Sequence, residues 1–283
     1  MERRTLGRTG VELSILGLGG ILVAHLPQSE ADALVAEAVD RGITYFDVAP
    51  TYGDAEERLG PALAPYRSGV FLAGKTTRRD AAGARQELEQ SLRRLQTDHL
   101  DLYQLHGVAK QEEVAQILGP GGALETFTAA RDRGEVRFLG FSAHTEEAAL
   151  ALLDAFPFDS LLFPFNFVTW HQEGLGQSLL ARAVEQGIGR LALKAMARAP
   201  WAEGAPRPYP KCWYEPLSSP DEAYLALRWA LSQPITAAVP PGEVPLFRLA
   251  LDIAERFTPI TPEEAAAVRA WAQTLPPIFR RPQ

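Results

Sequence analysis

The sequence lacks most features that mark secreted, membrane or nucleic-acid-binding proteins. Its 283 residues include a single cysteine, Cys212, which excludes an intramolecular disulfide and any cysteine-rich metal cluster. No apolar run approaches the roughly 18 residues that a transmembrane helix requires, and the polar N-terminus is unlike a signal peptide. Basic residues number 28 against 35 acidic ones, and this balance argues against binding to nucleic acid or to a membrane surface. The sequence therefore predicts a soluble, cytoplasmic protein.

Two motifs of common enzyme folds are also missing. No Gly-x-Gly-x-x-Gly motif follows an early strand, because Gly17–Gly20 is too short and opens no helix. This argues against a doubly wound dinucleotide-binding sheet, which stays the alternative fold. There is no His-x-His pair, and only Asp47 and His106 stand at strand ends as candidate metal ligands. A metal-dependent barrel hydrolase is therefore disfavoured, and we predict no metal site.

The chain does contain a regular alternation of short apolar runs and amphipathic helical stretches. Strands are predicted at Ile15–Leu18, Thr44–Phe46, Val70–Ala73, Leu100–Leu105, Val136–Phe141, Leu161–Phe165, Arg190–Leu193 and Thr236–Val239. Helical patterns, such as Ala81–Leu95 and Asp221–Leu231, lie between them. Eight strand–helix repeats in fewer than 300 residues are typical of an α/β protein with a (β/α)₈ TIM barrel. We expect one such barrel domain over residues 1–283.

Three further segments flank the predicted barrel. Arg3–Thr5 and Val11–Leu13 form an expected β-hairpin that closes the bottom of the barrel. Thr261–Trp271 is predicted as an extra C-terminal helix, with Thr261 as its N-cap. The segment Ala197–Pro220 is rich in Pro, Trp and Tyr, and we expect a loop that covers the mouth of the barrel.

Four polar residues at or just after strand ends indicate acid–base chemistry. Asp47, Lys75 and His106 end three consecutive strands, and Tyr52 follows Asp47 by five positions. In this type of barrel the C-terminal ends of the strands form the active site. A lysine favours the phenolate and lowers the pKa of a nearby tyrosine, an aspartate can hold that lysine, and a neutral histidine can donate a hydrogen bond to a carbonyl oxygen. The set suits carbonyl reduction. Each residue alone has a structural interpretation as a cap, turn or surface group, but their joint spacing disfavours it.

The same residues resemble the signature of the aldo-keto reductase superfamily. The likeness rests on Phe46–Glu56, Lys75, Asp101–His106 and Gly140–Ser142, and it extends over nearly the whole chain. It implies a reductase of aldehydes or ketones that uses NADPH or NADH, with neither a metal nor a Rossmann fold. By position, the resemblance implies that Tyr52 donates the proton, that Asp47 and Lys75 tune the pKa of Tyr52, and that His106 orients the carbonyl.

The resemblance also implies a set of cofactor contacts. These positions are Gly20, Asp47, Ser142, Asn166, Lys194, Gly242 and Arg248. Three positions depart from the common pattern. Ala143 replaces an Asn, Leu162 replaces a Gln for which Asn166 is a nearby substitute, and Leu193–Met196 lacks the aromatic that often stacks on the nicotinamide. The last segment resembles a bacterial branch with Met-Lys-Pro at this point.

The preference between NADP(H) and NAD(H) depends on the segment after the last strand. Arg248 stands where the family has an arginine that binds the adenosine 2′-phosphate, and a guanidinium suits a phosphate well. Glu243 and Asp252 lie close by in sequence and would repel that phosphate. We expect NADP(H), with NAD(H) as the alternative. The structural alternative is that Arg248 only pairs with Asp252 on an exposed helix face.

A non-catalytic or slow NADP(H)-binding regulatory subunit on the same barrel is the alternative function. The complete set of Asp47, Tyr52, Lys75 and His106 disfavours it. The expected partner is a small carbonyl compound, with no nucleic acid and no membrane. The sequence predicts neither the particular substrate nor the oligomeric state.

Overall fold

Eight parallel strands form the central sheet of the computed structural model, which describes residues 1–281. They are β3 (Gly17–Gly19), β4 (Tyr45–Asp47), β5 (Phe71–Thr76), β6 (Leu100–Val108), β7 (Val136–Ala143), β8 (Ser160–Pro164), β9 (Gly189–Leu193) and β12 (Ala237–Val239). Neighbours in the sheet follow chain order, and the Ala238 N–H closes the barrel by donating to the Ile15 carbonyl at 2.9 Å. The predicted (β/α)₈ barrel is confirmed.

Eleven α-helices in the described residues surround this sheet. They are α1 (Gln28–Asp40), α2 (Ala55–Leu63), α3 (Ala81–Arg94), α4 (Gln111–Leu118), α5 (Ala123–Asp132), α6 (Glu146–Ala155), α7 (Phe167–Glu173), α8 (Gln177–Glu185), α9 (Pro220–Leu231), α10 (Val244–Glu255) and α11 (Pro262–Ala272). Their local signals are simple. Asp80 caps α3 by accepting from the Gly83 N–H at 2.7 Å, and Ala84, Leu88 and Ser91 form its buried stripe.

The N-terminal hairpin covers the bottom of the barrel, as predicted. Strands β1 (Arg3–Thr5) and β2 (Glu12–Ser14) pair antiparallel, and the fully buried Leu6 packs among the side chains inside the barrel. Gly7 adopts a left-handed backbone, with φ at +51°. A Cβ atom at Gly7 would lie 2.3 Å from the backbone nitrogen of Gly189, so only glycine allows this close approach.

The predicted loop Ala197–Pro220 contains a hairpin that the sequence did not predict. Its strands are β10 (Ala197–Pro200) and β11 (Tyr214–Pro216), which pair across a register shift. The residues between them, 201–213, extend over the mouth of the barrel and are called the strap below. The Lys211 ammonium donates to the Leu22 carbonyl at 2.9 Å, and the Lys211 N–H donates to Glu243 at 2.8 Å. The strap therefore contacts the segment after β3 and the start of α10.

The predicted element boundaries agree with the structure to within a few residues, and the C-terminal helix starts after its Thr261 cap. The largest differences are at β5, which continues past Ala73 to Thr76, and at β6, which continues past Leu105 to Val108 through a register shift. Helices α2, α4 and α7 were not predicted, since each is short and α2 contains an internal proline, Pro61. Residues 282 and 283 of the expected domain lie outside the described residues. In residues 1–281 no helix combines the length and apolarity needed to cross a bilayer.

Candidate active site

The four predicted catalytic side chains come together at the C-terminal end of the barrel. Asp47 is the last residue of β4, Lys75 is the penultimate residue of β5, and His106 lies near the end of β6. Tyr52 is in the loop that connects β4 to α2. Lys75 and Asp47 are buried, whereas Tyr52 and His106 are half-buried and face the mouth. The parallel order of β4, β5 and β6 brings residues that are far apart in sequence to one edge.

A buried ion pair forms the base of this site. The Lys75 ammonium donates to Asp47 Oδ1 and also to the Val48 carbonyl, the latter at 3.2 Å. The second carboxylate oxygen, Oδ2, accepts from the Tyr45 hydroxyl and from Gln104 Nε2, each at 3.0 Å. Both oxygens of Asp47 are therefore occupied, which fixes the carboxylate and satisfies its charge.

Tyr45 and Gln104 contact Asp47 in this candidate site, and the sequence did not predict either of them. Each lies two positions before a predicted catalytic residue on the same strand, Tyr45 before Asp47 and Gln104 before His106. Because side chains in a strand alternate between faces, residues two apart point to the same side. That spacing was the available signal.

Tyr52 lies between the ion pair and His106. The Lys75 Nζ atom is 5.5 Å from the centroid of the Tyr52 ring, and the His106 ring meets it edge-on at 5.7 Å between centroids. Burial raises the pKa of the Tyr52 hydroxyl, and the neighbouring Lys75 charge lowers it by a smaller amount. The Lys75 charge by itself thus lowers the pKa of Tyr52, as the sequence predicted. In this structure burial outweighs it, and the phenol stays protonated.

His106 is a neutral imidazole in this setting. Burial lowers its pKa to about 3, and the Lys75 charge lowers it further in the same direction. Its Nδ1 atom is buried and has no hydrogen-bond partner in residues 1–281. The backbone around it is held by Arg79, whose Nη2 donates to the His106 carbonyl at 2.8 Å. The ring is thus positioned and uncharged near neutral pH.

Comparison with known proteins identifies the origin of this arrangement. A sequence model described as the Aldo/keto reductase family matches residues 15–203, which is more than half of the chain. The chain belongs to the aldo/keto reductase family. The family predicted from the sequence motifs is therefore confirmed.

Individual relatives within the family share part of the sequence. The aldo-keto reductase YhdN of Bacillus subtilis (strain 168) is 31% identical over 220 residues, which cover 70% of this chain and 63% of that protein. The L-galactose dehydrogenase of Arabidopsis thaliana is 30% identical over 172 residues, 56% of this chain and 53% of that protein. The chain thus spans about half to three fifths of the length of these curated relatives.

The fold extends further than the sequence similarity. The holo form of the aldo-keto reductase AKR11C1 of Bacillus halodurans matches with a TM-score of 0.76 at 23% identity. The match covers 100% of this chain and 99% of that one. At this level of identity the likeness concerns the fold, and it includes the hairpin, barrel and C-terminal helix described above.

Three of the predicted cofactor contacts of this aldo/keto reductase, Asp47, Lys194 and Gly242, line one cleft beside Tyr52, whereas Arg248 lines a separate cleft. The cleft has a volume of about 90 Å³ and lies between the strap and the segment after β12. It is lined by Gly19, Ile21, Asp47, Tyr52, Leu193, Lys194, residues 211–214 and residues 239–242. Gly20 and Gly242 flank it, and a Cβ atom at Gly242 would meet Ile21 at 2.1 Å. Glycine at that position therefore lets Ile21 pack directly against the backbone at the edge of the cleft.

Ser142 and Asn166 differ in what they can offer to a bound ligand. The Ser142 hydroxyl accepts from the Gly107 N–H at 2.7 Å, and its own hydrogen has no acceptor in residues 1–281. Asn166 instead caps α7 with its amide oxygen and donates both amide hydrogens, to the Lys194 carbonyl at 3.0 Å and the Ala197 carbonyl at 2.7 Å. Its amide has no hydrogen left to donate, so the structure gives no support to the predicted cofactor contact of Asn166.

Arg248 is exposed on the first turns of α10 and binds a carboxylate of another helix. Its guanidinium contacts Glu37 of α1 through two nitrogens at 2.7 to 3.1 Å. The alternative interpretation, in which Arg248 pairs with Asp252, is not what the structure shows. Asp252 instead accepts from Arg41 at 2.7 Å.

Proposed function

We propose that this aldo/keto reductase reduces the carbonyl group of an aldehyde or ketone to an alcohol, with Tyr52 as the proton donor. The observation that supports the proposal is the buried Lys75–Asp47 ion pair beside a protonated tyrosine and a neutral histidine. This combination serves no packing purpose, since a buried charge pair is no more stabilising than an apolar core of the same volume.

The residues at the cleft fit a nicotinamide cofactor, which supplies a hydride when bound. The Ser142 hydroxyl has a hydrogen to donate to a carboxamide. The 90 Å³ cleft is small for a dinucleotide, since ligand sites typically measure about 300 Å³ or more. The strap, which contacts Leu22 and Glu243, is the element whose displacement would enlarge this cleft for a cofactor.

The acid step follows from the electrostatics of Tyr52. Its raised pKa keeps the phenol protonated near neutral pH, so a proton is available to the carbonyl oxygen of a substrate. The phenolate that remains is stabilised by the Lys75 charge, which cannot move away because Asp47 and the Val48 carbonyl hold it. Tyr45 and Gln104 in turn fix Asp47. These contacts hold Lys75 where its charge stabilises the negative charge that develops on Tyr52 in the transition state.

His106 orients the carbonyl without supplying a proton. Because its pKa is lowered to about 3, the ring carries one hydrogen at neutral pH and cannot act as a strong acid. A neutral ring donates one hydrogen bond to the carbonyl oxygen next to Tyr52, and no second positive charge competes with Lys75 for the phenolate.

NADPH is the cofactor form that we propose, on the strength of Arg248. Its guanidinium is exposed near the start of α10 and lines a second cleft, together with apolar side chains such as Leu26 and the carboxylates Glu30 and Glu37. Glu37 occupies the guanidinium in this structure, so a 2′-phosphate would have to replace that carboxylate. The helix N-terminus close by favours an anion.

The direct test measures NADPH oxidation with a panel of aldehydes and ketones. The reaction is monitored as the loss of absorbance of the reduced nicotinamide. Cofactor binding is measured separately by fluorescence. Turnover with at least one carbonyl compound supports the reductase. Tight NADPH binding without turnover on any compound would favour the regulatory alternative, and no binding of either NADPH or NADH would contradict both.

A further inference from the structure

Lys194 places a positive charge inside the cleft without a counter-charge. It follows β9 directly and is half-buried. Its Nζ atom lies 4.9 Å from the ring centroid of Tyr214 and 5.4 Å from that of Trp213. In residues 1–281 it donates no hydrogen bond and forms no ion pair, so the two aromatic faces are its main partners. The ammonium is therefore a cation that stays accessible from the cleft and has no protein acceptor in the described residues.

The backbone of Lys194 is held in an unfavourable conformation. Its φ is +65°, in the left-handed region that residues other than glycine rarely adopt. The Lys194 carbonyl accepts from Asn166 at 3.0 Å and from the Ala197 N–H at 2.9 Å, and these bonds fix the turn. Asn166 is therefore a positioning residue for Lys194. Strain of this kind persists where the surrounding structure enforces it, which is commonly at ligand sites.

Four titratable groups near the ammonium are neutral at pH 7, and the charged residues that line the same cleft, Asp47 and Lys211, have partners of their own. His106 on β6 has its pKa lowered to about 3, and the pKa of His144 at the end of β7 is lowered as well, in both cases by burial first and with a contribution from Lys194. Burial raises the pKa of Cys212 in the strap to about 12, and the pKa of Tyr214 on β11 is also raised. The Lys194 charge is thus uncompensated, in a cleft that it shares with Tyr52.

We infer that Lys194 binds a carboxylate on the carbonyl substrate, so that the enzyme selects anionic aldehydes or ketones. The inference rests on the proposed function, since it concerns the substrate of that same site. A single ammonium with aromatic neighbours suits a monoanion on an apolar or aromatic body. Phe279 and Trp213, whose rings meet at 5.7 Å, extend the aromatic wall at the rim. This role differs from the cofactor contact that the sequence predicted for Lys194.

The test compares matched substrates that differ only in charge. The substrates are the 2-, 3- and 4-carboxybenzaldehydes and the corresponding neutral formylbenzamides, which sample three positions of the anion. Wild type should show a higher kcat/KM for at least one acid than for its amide, by about 10- to 100-fold, as expected for a charge-assisted hydrogen bond. Lys194→Met should abolish this preference by lowering kcat/KM for the acids, whereas Lys194→Arg should retain part of it.

Lys110→Met is the matched control, because Lys110 is the exposed member of the chain's four lysines and lies outside the cleft. It should leave both substrate series unchanged. Equal kcat/KM for acids and amides in wild type would overturn the inference. So would a Lys194→Met variant that loses NADPH affinity and activity on both series alike, since that would assign Lys194 to the cofactor.

A binding measurement separates this inference from the proposed function. The carboxybenzyl alcohols, which need no turnover, are titrated calorimetrically into wild type and Lys194→Met. Burial lowers the pKa of Lys194 to about 8, so affinity for the carboxylate should fall as the pH rises from 7 to 9. Binding that depends on Lys194 in a protein that reduces nothing would refute the reductase and keep the anion site. Binding that is independent of Lys194 and of pH would refute the anion site alone.

Discussion

Replacement of Lys75 by methionine tests the electrostatic basis of the mechanism. The Lys75 Nζ atom lies 5.5 Å from the centroid of the Tyr52 ring. At that separation, and with an effective dielectric constant of about 20, a unit charge stabilises a phenolate by about 3 kcal/mol. A loss of that size corresponds to a decrease in kcat of about a hundredfold. We therefore expect Lys75→Met to reduce carbonyl compounds about a hundredfold more slowly at saturating NADPH.

The pH dependence of the reverse reaction gives the sign of the effect. Alcohol oxidation requires the phenolate of Tyr52 as the base, so its rate rises as the pH passes the pKa of Tyr52. Removal of the Lys75 charge raises that pKa, because the positive charge lowers it in wild type. The rising limb of the profile should therefore move to higher pH in Lys75→Met. A profile that superimposes on that of wild type would refute the reasoning.

Stability has to be separated from catalysis in this variant. Lys75→Met leaves the buried Asp47 carboxylate without its cation, and loss of one partner of a buried pair costs about 3–5 kcal/mol. The double variant Asp47→Asn, Lys75→Met removes both charges and should recover most of the unfolding free energy, as measured in urea. It should not recover activity. Recovery of activity with stability would show that Lys75 acts only on the fold, and Lys110→Met serves as the neutral control.

Four further substitutions test the Arg248–Glu37 ion pair, the strap and the barrel bottom. Arg248→Ala should lower kcat/KM about tenfold more for NADPH than for NADH, and Glu37→Gln should raise the preference for NADPH. Equal effects on both cofactors would show that Arg248 does not bind the 2′-phosphate. Lys211→Met removes a contact of the strap and should speed NADPH dissociation about fivefold in stopped-flow fluorescence, and an unchanged rate would argue against a strap that retains cofactor. Leu6→Ala should lower the unfolding free energy by about 2–5 kcal/mol in urea, whereas a negligible loss would contradict its packing inside the barrel.

The sequence predicted the barrel because its signals are local and repeated. Short apolar runs and amphipathic helices recur at regular spacing, and parallel strands buried on both faces leave a clear apolar pattern. Helix α2 was not predicted because Pro61 interrupts its apolar pattern, and α7 was not predicted because it spans only Phe167–Glu173. The β10–β11 hairpin was not predicted because its two strands pair across the strap. The Pro-rich strap between them gives no periodic sequence signal.

The candidate site was predictable in its residues but less so in its electrostatics. Asp47, Lys75 and His106 could be placed because strand ends in a barrel converge. The raised pKa of Tyr52 could not be predicted, because it depends on how far the effect of burial on the pKa exceeds the opposite effect of the Lys75 charge. The partner of Arg248 was also beyond the sequence, because Glu37 lies on a helix 211 positions away and reaches it only through the packing of α1 against α10.

The central claim is that Tyr52 donates the proton, and Tyr52→Phe tests it most directly. The substitution keeps the ring beside Lys75 and His106 and removes only the hydroxyl. We predict that kcat for aldehyde reduction falls by at least about a hundredfold, while the Kd for NADPH changes less than about twofold. Aldehyde reduction at a rate near that of wild type, with NADPH bound equally well, would contradict the account.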